Sequence, residues 1–212
     1  MPYQHYLFDL DGTLSDPGVG IKNSIRYALQ KYGLPPLSDE TLDTFVGPPL
    51  VDSFRKYCGV DEKEAFRLVT LYREYFAEKG IFENVLYPRV SQTLAELVRR
   101  GAKLYLATSK PEPFAKQILS YFRIDGYFTF VGGSTMDETR TKKSEVVEYV
   151  LRSAGIDPTA EDCVMVGDRV YDVQGGRAWG LSTVGVLFGY GDASELSEAD
   201  YLIESFDELL RI

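Results

Sequence analysis

The sequence predicts an α/β protein, a doubly wound parallel sheet into which a helical bundle is inserted after the first strand. Three observations predict it. A short apolar strand, YQHYLFD, stands at the start and runs into acids. From about Val19 to Lys79 the apolar residues recur at helical spacing, with no strand pattern between them. After Gly80 the apolar runs KLYLATS, YFTFVGG, CVMVGD, STVGVLFG and ADYLIES alternate with helical segments. Apolar strands separated by helices argue for a parallel sheet covered on both faces.

The elements follow in order. Ile21, Ile25, Ala28, Leu29 and Tyr32 share one helical face, and Gly33-Leu-Pro-Pro stops that helix. Ser38, followed by Asp39 and Glu40, reads as a second helix start. A third helix is expected from Pro49 to Tyr57, ending near Gly59. Asp61 with Glu64 opens a fourth, whose face reads as Ala65, Phe66, Val69, Tyr72 and Phe76. Beyond Gly80, helices are expected over Val90–Arg100, Pro113–Phe122, Ser144–Ala154 and Val173–Trp179. The expected division is a core of residues 1–15 and 83–212, with a helical cap of residues 16–82 over the sheet's carboxyl edge, where ligands bind in such folds.

Composition narrows the function classes. A chain of 212 residues with 44% hydrophobic and 26% charged residues can bury a full core. The net charge of −9 and a pI near 4.8 argue against a nucleic-acid or anionic-membrane binder, which needs clustered Lys and Arg. No apolar run approaches the roughly 20 residues that span a bilayer. MPYQHYLFD lacks the basic and long apolar regions of a leader. Two cysteines, Cys58 and Cys163, are too few for a disulfide framework, so a reducing cytoplasm is expected. The single histidine, His5, reads as a packing residue, which disfavours triads and multi-histidine zinc sites. Monomer and homodimer are both compatible with the sequence.

Chemistry concentrates at the strand ends. The first strand ends in Asp9-Leu-Asp11-Gly-Thr13, and KLYLA runs into Thr108-Ser109-Lys110. CVMVG runs into Asp168-Arg-Val-Tyr-Asp172, while Lys142 and Lys143 precede a helix. In a doubly wound sheet these carboxyl ends share one edge. Four acids gathered there repel, and a Mg²⁺, which prefers carboxylate oxygens and retained waters, would make the group coherent. Phosphoryl transfer needs a nucleophile, cations on the phosphate oxygens and a proton donor for the leaving group. One aspartate of the opening pair suits attack on phosphorus, and the other suits protonating the leaving oxygen and then activating water. Thr108 suits a hydrogen bond to a phosphate oxygen, beside Ser109 and nearby backbone N–H groups. A lysine at a helix start opposes the helix dipole, which suggests another purpose, neutralising nucleophile and phosphate.

These motifs together resemble the haloacid dehalogenase superfamily, and within it the phosphoglycolate-phosphatase-like members with a small helical cap. The resemblance spans essentially the whole chain. It rests on F-D-L-D-G-T-L at 8–14, L-A-T-S-K-P at 106–111, the lysines at 142–143 and V-G-D-R-V-Y-D at 166–172, with L-Y-P-R-V at 86–90 and G-V-L-F-G-Y-G at 185–191. It implies a Rossmann-like core and a Mg²⁺-dependent phosphatase of small phosphorylated metabolites acting through an aspartyl-phosphate. Asp9 would be the nucleophile and a metal ligand. Asp11 would be general acid and base, with its backbone carbonyl on the metal. Thr108 and Ser109 would bind phosphate, Asp168 would complete the protein's metal ligands, and Asp172 would hold the metal's waters. Lys143 fits the family's lysine better than Lys142, because K-S-E-V-V matches its spacing to the helix. Two departures stand out: Ser144 replaces the family's usual proline, and Arg169 replaces a usual small residue. Arg169 could reach toward the metal site or the cap, and the preferred expectation is that it pairs with a surface acid.

In the cap, Gly47 of Val46-Gly47-Pro48-Pro49 resembles a substrate-facing loop, and an ordinary helix–helix turn explains it equally well. Lys22, Arg26 and Arg55 are candidates for a substrate's anionic tail, although cap charges are usually solvated. The stripe from Tyr72 to Phe76 and Trp179 read as packing. A dehalogenase is disfavoured by Asp11, since displaced halide needs no proton. A sugar phosphomutase, a phospho-accepting signalling domain and an inactive binding protein remain as alternatives. Phosphoglycolate, sugar phosphates, 5′-nucleotides and pyrophosphate all suit the core.

Overall fold

The computed structural model describes residues 3–137, 139–159 and 162–212. The strands of the main sheet are β1 (His5–Phe8), β4 (Lys103–Pro111), β5 (Phe128–Ser134), β6 (Cys163–Gly167), β7 (Ser182–Val186) and β8 (Tyr201–Ile203). Of these, β1, β6 and β7 are almost wholly buried, as strands covered on both faces must be, while the edge strands β5 and β8 are partly exposed. The six form one sheet in the order β5-β4-β1-β6-β7-β8. Every pairing is parallel, with Phe8 opposite Leu106 on one side and Val166 on the other. Two-residue strands β2 (Ser15–Asp16) and β3 (Val85–Leu86) pair separately.

Counting only the strands of the main sheet, this is the doubly wound order 3-2-1-4-5-6, whose direction reverses between the first and fourth strands. Here that point lies between β1 and β6. The chain divides into two compact units, Met1–Ser15 with Leu86–Ile212, and Asp16–Val85.

In the sheet unit the helices are α5 (Val90–Arg99), α6 (Glu112–Tyr121), α7 (Lys143–Ala154) and α8 (Val170–Arg177). The α7 face of Val146, Val147, Val150 and Leu151 packs with Leu7, Tyr105, Ala107 and Met165, and Trp179 lies against this cluster. Gly155 ends α7 in the left-handed conformation. His5 is buried, with Nδ1 3.2 Å from the Tyr105 hydroxyl, so it is a packing residue.

The helical unit contains α1 (Gly18–Tyr32), α2 (Asp39–Asp43), α3 (Leu50–Cys58) and α4 (Glu62–Glu78). The expected caps form: Ser38 Oγ accepts from Thr41 N–H, and Asp61 and Glu64 make a reciprocal capping box. Tyr72 and Phe76 stack at 5.3 Å and are buried, so this stripe is packing.

Two sequence expectations need correction. Phe66 is 43% exposed and Leu68 is fully buried. The core stripe of α4 therefore runs Ala65, Leu68, Val69, Tyr72 and Phe76. The last core helix begins at Val170 and not at Val173. The Asp172 carboxylate reaches back to accept from Arg169 N–H, which caps a first turn that carries no Ser, Thr or Asn in front of it.

Candidate active site

The site is built where β1, β4 and β6 end. Gly12 lets the chain turn after β1, with φ of +84°. A Cβ there would lie 2.1 Å from Asp168 Oδ2, so only glycine permits this approach. Thr13 Oγ1 donates to Asp168 Oδ1 at 3.2 Å, and Tyr190 N–H donates to Asp168 Oδ2 at 2.9 Å. The loop after β7 thus grips the acid at the end of β6. Its sequence, L-F-G-Y-G, had appeared in the family resemblance without a role for Tyr190.

Asp9, Asp168 and Asp172 are buried, and one carboxylate oxygen from each lies within 4.8 Å of the others. Lys143, the first residue of α7, enters this group from the side. Its Nζ is 2.8 Å from Asp9 Oδ1 and 2.8 Å from Asp172 Oδ1, and it donates to the Ala107 carbonyl at 3.0 Å. Lys142 is exposed, so the two neighbouring lysines occupy opposite environments.

Asp11 pairs with a different lysine from Asp9 and Asp172. Its Oδ2 is 2.6 Å from Lys110 Nζ, a pair that is largely buried, and its Oδ1 is buried without a hydrogen-bond partner. Thr108 is buried and its Oγ1 accepts from Lys110 N–H at 3.2 Å. That bond uses a lone pair and leaves the hydroxyl proton for another acceptor. Ser109 is half-buried beside it.

Crowding shows in the titration of the acids. Burial pushes Asp172 up to about 6, with Lys143 opposing and Asp9 adding to the rise. Burial, then the neighbouring Asp172 and Asp9, hold Asp168 well above the carboxylate range. Burial raises Asp11 against the pull of Lys110. For Lys143, burial works downward, and Asp172 with Asp9 outweigh it. Four carboxylates gather around two ammonium groups, Lys110 and Lys143, so the site holds more acids than neighbouring cations to pair them. The donor set and this excess of acids fit a hard divalent cation held by carboxylate oxygens.

Other expected residues lie elsewhere. Arg169 pairs with Glu195 at 2.8 Å, as an acid partner was expected, but both side chains are mostly buried and not on open surface. Glu195 also accepts from Val170 N–H. Lys22 pairs with Asp43 and Arg26 with Asp39, and Arg55 is exposed. Gly47 has φ of +105°, between buried Val46 and Pro48. Sequence reasoning missed Lys110 as a partner of Asp11. Regular spacing gave no signal for it, because β4 departs from regular pairing between Ala107 and Pro111.

The comparisons with known proteins decide the family. The sequence profile of the haloacid dehalogenase-like hydrolases matches residues 6–186. The chain belongs to that family. A 5′-nucleotidase of Pseudomonas aeruginosa is 42% identical over 194 residues, 92% of this chain and 87% of that protein. A phosphoglycolate phosphatase of Salmonella typhimurium is 33% identical, over 96% of this chain and 89% of its own length. The tyrosine-protein kinase PtkA of Mycobacterium tuberculosis is 39% identical over 90% of this chain, which spans 64% of that kinase. The crystal structure of a "predicted phosphatase" from Clostridium acetobutylicum superimposes with a TM-score of 0.93 at 41% identity, over 99% of this chain and 97% of that one. This haloacid dehalogenase-like hydrolase is a phosphatase enzyme. Among the described residues, no helix is long and apolar enough to cross a membrane.

Proposed function

We propose that this hydrolase is a Mg²⁺-dependent phosphatase of small cytoplasmic phosphate monoesters, working through an aspartyl-phosphate. The observation that carries the reading is that the two opening aspartates pair with different lysines. Asp9 sits with Lys143 among the clustered acids, whereas Asp11 sits with Lys110. Asp9 is assigned the attack on phosphorus. Asp11 is assigned the proton for the leaving oxygen and, afterwards, removal of a proton from the hydrolytic water. Lys143 neutralises Asp9 and the phosphate, and Thr108 with Ser109 binds phosphate oxygens.

Asp9, Asp168 and the Asp11 carbonyl would hold Mg²⁺, with Asp172 on its waters. The ion would supply charge neutralisation for the transferring group. The helical unit, as a cap carrying Gly47, is assigned substrate selection. The names of the relatives favour 5′-nucleotides and phosphoglycolate as the first substrates to examine. The test is phosphate release from a panel of phosphorylated metabolites, with Mg²⁺ and with chelator. Turnover of one or a few esters, lost on chelation, is expected. No release from any ester overturns the reading.

One observation favours a second reading, the 39% identity to a tyrosine-protein kinase. The same aspartyl-phosphate would pass to a hydroxyl in place of water. Labelled phosphate appearing on tyrosine after incubation with γ-labelled ATP would establish it.

A further inference from the structure

We infer that Lys110 is a positioning residue for the acid–base chemistry of Asp11, fixing which carboxylate oxygen faces the substrate. The inference rests on the assignment of Asp11 as acid and base and adds a residue to it. Three independent features converge on Lys110.

The first is its reach. Lys110 Nζ lies 2.6 Å from Asp11 Oδ2 while Asp11 Oδ1, also buried, has no hydrogen-bond partner. The second is the backbone that aims it. Along β4, Ala107 pairs with Gly132 and Pro111 with Ser134, so β4 spends four residues where β5 spends two. A bulge of this kind redirects a side chain that regular pleating would place elsewhere. The third is the packing that keeps the bulge. Thr108 Oγ1 accepts from Lys110 N–H across it, and Gly133 lies so close that a Cβ would stand 2.6 Å from the Lys110 carbonyl oxygen.

The consequence for chemistry is geometric. With Oδ2 held by an ammonium group, the transferable proton of Asp11 resides on Oδ1 alone. In the first step the ester P–O bond breaks, phosphorus bonds to the Asp9 oxygen, and the Oδ1 proton goes to the departing oxygen. In the second, water attacks phosphorus, the Asp9–phosphorus bond breaks, and Oδ1 takes the water's proton. A carboxyl free to rotate would present the wrong oxygen part of the time. A buried lysine is also costly unless paired, so its placement here calls for a purpose.

The experiment compares two esters in wild type and in Lys110→Met with Mg²⁺ present. One is a 4-nitrophenyl ester, whose phenolate leaves without a proton. The other is an alkyl ester of the preferred substrate, whose alkoxide needs one. The value read is kcat/KM, which stops at the first irreversible step and so excludes hydrolysis of the phosphoenzyme. In Lys110→Met the alkyl ester is expected to lose about 100-fold and the aryl ester about tenfold or less, in the range of general-acid contributions. Lys110→Arg, which keeps the charge, is expected to restore part of the ratio. Equal losses on both esters, whether from weaker phosphate binding or from a disturbed fold, overturn the inference, as does no loss on either. If Lys110→Met does not fold, Lys110→Gln is read by the same ratio. Wild-type protein that hydrolyses neither ester overturns the phosphatase reading and this inference with it. An active wild type with an unshifted ratio overturns the role of Lys110 alone.

Discussion

The two units of this hydrolase place their charges in opposite ways. In the helical unit, Arg26 meets Asp39 between exposed side chains, and Lys22, itself partly buried, meets the exposed Asp43. In the sheet unit, Lys143 is 4% exposed and joins Asp9 to Asp172, residues brought together only by the sheet. Exposed pairs contribute about 0–1 kcal/mol, and buried pairs often contribute no more than an apolar substitute would. Stability therefore does not explain three buried acids around one lysine, and chemistry does. The sharpest way to break that contrast is Asp9→Asn. Phosphate release is expected to fall by at least about 10⁴-fold, the scale of removing a nucleophile. Retained turnover would make the cluster structural after all.

The next test sets the two kinds of lysine against each other. Lys143→Met leaves Asp9 and Asp172 buried beside Asp168 without their ammonium partner, at an expected cost of about 3–5 kcal/mol. Lys22→Met removes the partly buried partner of an exposed carboxylate, Asp43, and is expected to cost about 1 kcal/mol or less. Urea denaturation of metal-free protein measures both. Equal costs would mean that burial does not separate the two sets of charges.

How much of this was legible depended on whether the signal was local. The fold was legible because each strand and helix start is written in neighbouring residues: Asp61 with Glu64, Gly155 after α7, the apolar run of β6. The acids at the strand ends were legible too, because parallel strands must bring their carboxyl ends to one edge. The Lys110–Asp11 pair was not, because it depends on a bulge in β4, and extra residues in a strand leave no periodic trace. The early start of α8 was hidden for a similar reason, since its cap is a carboxylate supplied from inside the helix.

A pH series sharpens the comparison from another side. Asp172 titrates near 6 in the fold, and Asp168 and Asp11 are shifted in the same direction. A raised carboxylate binds its proton more tightly folded than unfolded. Its stabilisation is thus complete below the unfolded pKa and is lost as pH rises through the folded one. Metal-free protein is expected to be more stable at pH 5 than at pH 7.5, by a few kcal/mol on the order set by these shifts. Added Mg²⁺ should raise the melting temperature more at pH 7.5 than at pH 5, because it binds ionised carboxylates. Glu96, a surface acid outside the cluster, is shifted downward by Arg99 and Arg100, but solvent screens the effect. A melting temperature that climbs from pH 5 to 7.5 in chelator would show that the buried cluster does not govern this window.

The smallest expected effect tests the packing of the helical unit, where the sequence pattern was ambiguous. Phe66 and Val69 are three residues apart and share a helical stripe on paper, as do Ala65 and Leu68. A helix surface admits both stripes, and the expected face took in Phe66 and left out Leu68. In the fold, Leu68 is fully buried and Phe66 is 43% exposed, because the contact face of α4 is centred on Ala65, Leu68 and Tyr72. Leu68→Ala removes buried methyl groups and should cost about 2–5 kcal/mol, set by how far the neighbours collapse. Phe66→Ala should change unfolding free energy by about 0.5 kcal/mol or less, since the ring keeps much of its solvent and alanine favours the helix. Urea denaturation of the two variants ranks them. A larger loss at 66 than at 68 would return α4 to the face its sequence first suggested.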